Sequence, residues 1–225
     1  MARSVIVTGG FGILGQAVAR TFAGNGDKVA RVDFASAAPD QQATLDIGGV
    51  DLTDPASTQD ALDKVIAAHG GLDVLVNVAG GFTWETLEGG SIDAWVRMQS
   101  MNLLTGATIT KLALPALKAS AAGRVVNIGA GAAAKAAAGM GAYTASKSGV
   151  HRLTEALADE LSGTAVTVNA VLPSTIDTPT NRADMPDADF DGWVQPSAVA
   201  DVILFLASPQ ARAISGALIP VTRGG

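Results

Sequence analysis

Cysteine is absent from the 225 residues, and histidine occurs only as His69 and His151. The first absence excludes disulfides, thiolate metal sites and cysteine nucleophiles; the second rules out a multi-histidine cluster, so no metal centre is expected. Aromatic residues make up 4% of the chain, with Tyr143 the single tyrosine. No uninterrupted apolar run approaches the ~20 residues that cross a bilayer, so no membrane partner is expected. The formal charge of −6 is unfavourable for a phosphate-backbone binder, so nucleic acid is not expected as a partner either. Met1-Ala2-Arg3-Ser4 leads straight into Val5-Ile6-Val7, with no room for a signal peptide before structured sequence begins, and a cytoplasmic location is the expectation.

What is present reads as an α/β protein. Short β-rich runs (Ser4–Thr8, Lys28–Asp33, Asp73–Val78, Gly123–Ile128, Ala165–Val171, Ala217–Val221) alternate with longer alanine-rich segments at helical spacing (Ile13–Asn25, Pro55–His69, Ile92–Ser120, Tyr143–Ser162, Pro196–Ala207). Leu45–Leu52, broken by Gly48-Gly49, has room for one more strand. Strands separated by helices pair in parallel through right-handed crossovers, which predicts a Rossmann-type doubly wound parallel sheet flanked by helices. No segment reads as a linker, so residues 1–225 are expected to form one domain. Asp177–Trp193, with five Asp and two Pro, is expected to be a surface loop or lid.

Gly9, Gly12 and Gly15 punctuate the turn between the first strand and first helix, with Phe11, Ile13 and Leu14 between them. Missing Cβ atoms allow a tight turn and a close approach to a pyrophosphate, which the helix N-terminus also attracts. Glycine spacing alone is weak, because any sharp strand-to-helix turn favours glycine; its place after the first strand is what points to a dinucleotide. Asp33 ends the second strand eighteen residues after Gly15. A carboxylate there accepts hydrogen bonds from ribose hydroxyls and repels a 2′-phosphate, favouring NAD(H) over NADP(H). Arg31, two positions earlier, pulls slightly the other way.

Tyr143-Thr144-Ala145-Ser146-Lys147 places a phenol and an ammonium at i and i+4, on one face of a helix. A nearby cation favours tyrosinate and lowers the phenol from its usual ~10. Such a phenol gives a proton to a carbonyl oxygen or takes one from an alcohol. The pair is common by chance and carries weight only in combination.

In combination with the glycine turn, Asp33, Asp51-Leu52, Asn77-Val78-Ala79-Gly80, Asn102 and Asn169-Ala170-Val171-Leu172-Pro173, it resembles the short-chain dehydrogenase/reductase family over essentially the whole chain. The resemblance implies a hydride-transfer enzyme acting on a small carbonyl or alcohol. Asp51 and Leu52 would border the adenine, and Asn77, Ala79 and Gly80 the cofactor channel. Lys147 would hold the nicotinamide ribose, Asn102 would position a water linking Lys147 to solvent, Pro173 would belong to the cofactor site, and Thr178, after the Pro173 turn, would contact the carboxamide. Tyr143, Lys147 and Asn102 would be the catalytic set. Phe82, Trp84, Ala130, Met140, Met185 and Trp193 fall where the family borders its substrate, whereas Trp95 reads as core packing. The family's habit also implies a homodimer or homotetramer, formed where alanine-rich helices approach across a two-fold axis.

The chain departs from the family at the serine thirteen positions before the tyrosine, where it carries Ala130; Gly123–Ala142 contains neither Ser nor Thr. Ile13 and Ser174 also stand where glycine is common. Val78-Ala79-Gly80-Gly81-Phe82, Gly139-Met140, Asp177-Thr178-Pro179, Asn181-Arg182 and Met185 to Phe190 are similar to the dihydropteridine reductase branch, which lacks that serine and uses NADH. Asn102 follows the wider family. Quinonoid pterin reduction is therefore the alternative within the enzyme class, and a non-catalytic NAD-binding sensor or structural subunit the alternative outside it. Trp84, Lys135 or a water are the candidate replacements for the missing hydroxyl.

Overall fold

A computed structural model describes residues 2–42 and 44–223; Met1, Ala43, Gly224 and Gly225 of the expected 1–225 domain lie outside the described residues. Seven parallel strands form one sheet: β1 (Ser4–Thr8), β2 (Lys28–Val32), β3 (Leu45–Ile47), β4 (Val74–Asn77), β5 (Arg124–Ile128), β6 (Thr167–Pro173) and β7 (Leu218–Val221). Their order is β3-β2-β1-β4-β5-β6-β7. Every registered pairing is parallel, from Val7 opposite Arg31 to Val171 opposite Ile219. The order reverses between β1 and β4, so a crevice opens beyond their carboxyl ends, where α/β sheets bind ligands.

Alternate strand residues feed two cores. On one face Val5, Val7, Val126 and Val171 pack against Val18 and Phe22 of α1 (Ile13–Gly24) and Ile203 and Leu206 of α7 (Pro196–Leu206). On the other, Ile6, Leu75, Val125 and Val168 meet Leu62 and Val65 of α2 (Pro55–His69), Ile109 and Leu117 of α4 (Thr105–Ala119) and Leu157 of α5 (Gly141–Glu160). The uninterrupted apolar character of the strands follows from this two-sided burial. Helix α2 starts at a capped end, where the Asp54 carboxylate accepts from Ala56 and Ser57 N–H ahead of Pro55, and stops at Gly70 in the left-handed region,.

Two expectations need correction, and a third is given its bounds. Ile92–Ser120 is not one regular helix: α3 (Ile92–Gln99) passes through a π-helical turn, Ser100–Leu104, into α4. The segments on both sides are α-helical and no Gly or Pro marks the change of pitch, so the turn was not legible in the sequence,. The strand expected within Leu45–Leu52 is present as Leu45–Ile47 and ends at the glycine pair, where a Cβ at Gly48 would collide with the Ala35 and Ser36 carbonyl oxygens and Gly49 takes a positive φ. Asp177–Trp193 is no plain loop: it holds α6 (Pro179–Asp184) and a 3₁₀ turn at Phe190–Gly192, and Ile176 bridges to Val194. Polar composition hid a cap (Thr178), a helix-starting Pro179 and an Asp177–Arg182 ion pair.

Candidate active site

The glycine turn closes on itself. Gly9 has φ +60°, and a Cβ there would come within 2.9 Å of the Ala79 backbone; a Cβ on Gly15 would overlap the Gly9 carbonyl oxygen. The β1 and β4 loops are thus packed backbone to backbone, and Thr8 stitches them by accepting from Val78 and Ala79 N–H at 3.0 and 3.1 Å. Helix α1 begins without a side-chain cap, and its first helical bond runs from Gln16 N–H to Gly12 C=O. The amides of Ile13, Leu14 and Gly15 are left at a positive helix end, a cradle suited to a pyrophosphate. Phe11 contributes backbone only, since its ring is buried over Arg31.

At the rim, the Asp33 carboxylate accepts from Phe11 N–H and Ala35 N–H, both at 2.9 Å. Arg31 does not compete with it: the side chain is fully buried and paired with Asp40 and Asp46. The Asp51 carboxylate accepts the hydroxyl and the N–H of Thr53, which hold its pKa below the ordinary value. Leu52 corrects its expectation in part, because its side chain is buried in the core and only its backbone can border an adenine.

The Asn77 amide is buried and donates to Thr110 Oγ1 at 2.9 Å and Asn127 Oδ1 at 2.8 Å, while Asn127 donates to Thr154 Oγ1. This polar strut ties β4, β5, α4 and α5 beneath the site, so Asn77 acts on the fold. On the loop after β4, Ala79 is half-buried and Gly80 exposed. A Cβ on Gly80 would come 2.5 Å from Asn102 Oδ1 and 3.5 Å from Lys147 Nζ, so glycine lets this loop lie directly over both side chains.

Asn102 sits in the π turn, buried. It accepts from Gly81 N–H at 2.9 Å and donates to Gly81 C=O at 3.1 Å and Ser146 Oγ at 3.0 Å. Through these bonds the amide clamps the β4 loop to α5.

Tyr143 and Lys147 share one face of α5 as expected, but their electrostatics are reversed. The Lys147 ammonium donates to Ile128 C=O at 2.8 Å, and burial brings its pKa down to about 8. Burial pushes the Tyr143 phenol up to about 12, not down as a neighbouring cation would. Desolvation disfavours both charged forms. Phe82 meets the Tyr143 ring edge-on, centroids 5.0 Å apart and planes at 78°.

Ala130 is buried at the end of β5, and its N–H donates to His151 Nε2 at 3.3 Å. That amide is therefore not a spare donor for a reacting oxygen. A Cβ on Gly129 would come 2.6 Å from the same ring nitrogen. His151, Gly129, Ser146 and Thr8 also shape the site and were given no role in the sequence reading. For His151 a signal existed: it lies four residues after Lys147, one turn on along the same helix face.

Of the pocket candidates, Trp84 lies over Gly139, whose φ of +76° and missing Cβ admit the indole. Met140 caps α5 and is half-buried, and Met185 is exposed at the end of α6. Trp193 corrects its expectation: it is buried against the Phe190 ring, 4.7 Å away, on which Arg182 stacks from 4.5 Å. It anchors the 177–193 segment. Pro173 is buried at the end of β6. Thr178 Oγ1 accepts from Asn181 N–H at 3.1 Å as the cap of α6, which leaves its hydroxyl proton to donate. Trp95 packs over Gly141, and among the described residues no helix is long and apolar enough to cross a membrane.

A family model described as short chain dehydrogenase matches residues 3–189. The chain is 33% identical to the 3-oxoacyl-[acyl-carrier-protein] reductase MabA of Mycobacterium bovis, covering 100% of this chain and 93% of that one. It is similar to the ligand-free aldohexose dehydrogenase of Thermoplasma acidophilum (TM-score 0.91, 29% identity, 99% and 93% coverage). It is also similar to the 3-ketoacyl-(acyl-carrier-protein) reductase of Brucella melitensis complexed with NADH (TM-score 0.86, 25% identity, 97% and 96% coverage).

Proposed function

The chain belongs to the short-chain dehydrogenase family and is an NAD(P)-dependent oxidoreductase, and on that premise we propose that it uses NAD(H), with Tyr143 exchanging a proton with a small carbonyl or alcohol substrate. The observation that carries this reading is the placement of Tyr143 and Lys147 on one face of α5, with Lys147 under the cofactor-side loop at Gly80. The uncapped α1 terminus and the Cβ-free Gly9 and Gly15 fit a dinucleotide pyrophosphate. Asp33, with Arg31 sequestered behind it, suits a ribose bearing free hydroxyls,.

When bound, the nicotinamide supplies or accepts the hydride. In the reducing direction Tyr143, protonated at neutral pH, gives its proton to the substrate heteroatom at its hydroxyl oxygen. Lys147, with a pKa near 8, is poised to return a proton to the phenolate. Asn102 keeps the β4 loop seated over Lys147 through Gly81. The Phe82 ring shields one side of the phenol, and Trp84 and Met140 give the mouth an apolar wall. The protein acts as a homodimer or homotetramer, with the exposed Val96, Met101 and Leu104 offering apolar surface for assembly.

A second reading is reduction of a quinonoid pterin or a related C=N/C=O acceptor. It is favoured by Ala130, which offers no hydroxyl and whose N–H is committed to His151. An acceptor with a reactive C=N bond has less need of a second donor. Loss of nicotinamide absorbance after mixing NADH with simple carbonyls, and separately with quinonoid dihydropterin, tests both. Turnover of carbonyls supports the first reading and preferential turnover of dihydropterin the second. NADH binding with no turnover of any acceptor overturns both in favour of a binding subunit.

A further inference from the structure

Directly beneath the glycine turn lies a cation that the proposed chemistry does not use. Arg31 is 0% exposed, and its Cβ is 2.5 Å from the position a Cβ on Gly10 would take. Its guanidinium donates through Nε to Asp46 Oδ1 at 2.8 Å and through Nη2 to Asp46 Oδ2 at 2.7 Å. Nη1 donates to Asp40 Oδ1 at 2.6 Å, and Nη2 also reaches the Asp40 carbonyl oxygen at 3.3 Å. The Phe11 ring covers the guanidinium, with Cζ 5.4 Å from the centroid. The bidentate fork to Asp46 fixes its plane. Asp40 stands on the segment after Asp33 and is also held by Gln42 Nε2 at 2.7 Å and, more loosely, by Arg20.

Arg31 and Asp33 are two residues apart at the carboxyl end of β2, so both side chains lie on one side of the strand. A guanidinium in that place is the group best suited to grip a 2′-phosphate, by charge and by fork geometry. Here its N–H groups are given to Asp40 and Asp46 and one face is covered by the Phe11 ring. The two aspartates also fasten the 34–42 segment (through Asp40) and β3 (through Asp46) to β2, so one cation organises the rim on which Asp33 sits.

We propose that Arg31 is a specificity-determining residue acting through Asp40 and Asp46: the two carboxylates withhold its guanidinium from a 2′-phosphate, so discrimination against NADP(H) is set by this clasp as well as by Asp33. The inference rests on the reading of the glycine turn and Asp33 as an NAD(H) site. Removing Asp33 alone is then insufficient to create a 2′-phosphate site, because the nearest cation stays engaged. Releasing the Asp40 arm frees Nη1 while Asp46 still neutralises the buried charge.

Calorimetric titration of purified variants with NAD+ and NADP+, without substrate, tests this. Wild type is expected to bind NAD+ at least tenfold more tightly than NADP+; the opposite preference would remove the underlying reading itself. In the Asp33→Ser background, adding Arg31→Gln is expected to change the ratio of NADP+ to NAD+ affinity less than twofold, since a clasped Arg31 touches no phosphate and any loosening of the rim acts on both cofactors alike. Adding Asp40→Asn instead is expected to tighten NADP+ binding at least fivefold, and adding Arg31→Gln to that double variant is expected to abolish the gain. A fivefold loss of NADP+ affinity relative to NAD+ on Arg31→Gln in the Asp33→Ser protein would overturn the inference, as would an Asp40→Asn gain below fivefold or one that survives Arg31→Gln. Should the Asp40→Asn proteins fail to fold, the Asp33→Ser and Asp33→Ser/Arg31→Gln pair still decides whether Arg31 is withheld.

Discussion

The Lys147 ammonium donates to the Ile128 carbonyl oxygen at 2.8 Å, so helix α5 and strand β5 are joined by a buried cation one residue before the backbone turns toward Ala130. Its pKa of about 8 lies below its ordinary value because burial penalises the charge. Between pH ~8 and ~10.5 the unfolded chain binds more protons at this residue than the folded one, so stability rises with pH across that window. Below pH 8 the cost of the buried charge is fully present. Lys147→Met is therefore expected to raise the melting temperature of the cofactor-free protein at pH 7 by several degrees, to flatten its rise between pH 8 and 10, and to remove turnover. Thermal melts across that pH range check it; a lower melting temperature at pH 7 would show that the Ile128 bond outweighs desolvation.

Tyr143→Phe keeps the ring against Phe82 and deletes only the hydroxyl. Turnover is expected to fall by about two to four orders of magnitude, the usual weight of a positioned acid, with NADH affinity changed less than about twofold. Steady-state rates and NADH fluorescence titration separate the two; a retained rate would remove the proton-donor role.

Ala130→Ser places a hydroxyl where the buried methyl now lies. One preorganised donor is worth ~2.7–4 kcal/mol in enzymes that use it, and here the Ala130 N–H is already given to His151. The expected outcome is at least a ~10-fold rise in kcat/KM on simple ketones, a fraction of that ceiling. An unchanged rate would mean the pocket presents no acceptor to that hydroxyl.

His151 is held neutral by burial and by Arg152 and Lys147, against the opposing pull of Glu155. Neutral Nε2 accepts the Ala130 N–H, and the protonated ring has no lone pair to offer it. With the folded pKa below the ordinary ~6.5, the unfolded chain takes up the proton first, so stability declines as pH falls below ~6.5 toward the folded value. His151→Gln, which keeps an acceptor, is expected to retain turnover at pH 7 and to lose that acid sensitivity. His151→Leu is expected to lower kcat at every pH. Melts and rates from pH 5 to 7.5 distinguish them, and identical acid profiles for wild type and Gln would contradict the assignment.

The doubly wound sheet, the glycine turn and the Tyr143–Lys147 face were legible in the sequence because each is written in local spacing: alternation of strand and helix, glycines where a Cβ would strike backbone, and an i, i+4 pair. The charge states at the site were not legible. The cation's effect on Tyr143 was expected from four residues of separation, yet the sign of the shift is set by how deeply both side chains are buried.

The same division runs through the rest of the molecule. The sequence by itself determined the order of elements, the family and the identity of the chemical groups. Only the tertiary structure decided that Arg31 is spent on Asp40 and Asp46, that Asn77 faces a buried strut, that Asn102 clamps Gly81 from a π turn, and that His151 occupies the Ala130 amide. Periodicity is carried by neighbours in the chain, whereas desolvation and hydrogen-bond partnership depend on neighbours in space, brought together here from 9 to 50 residues apart.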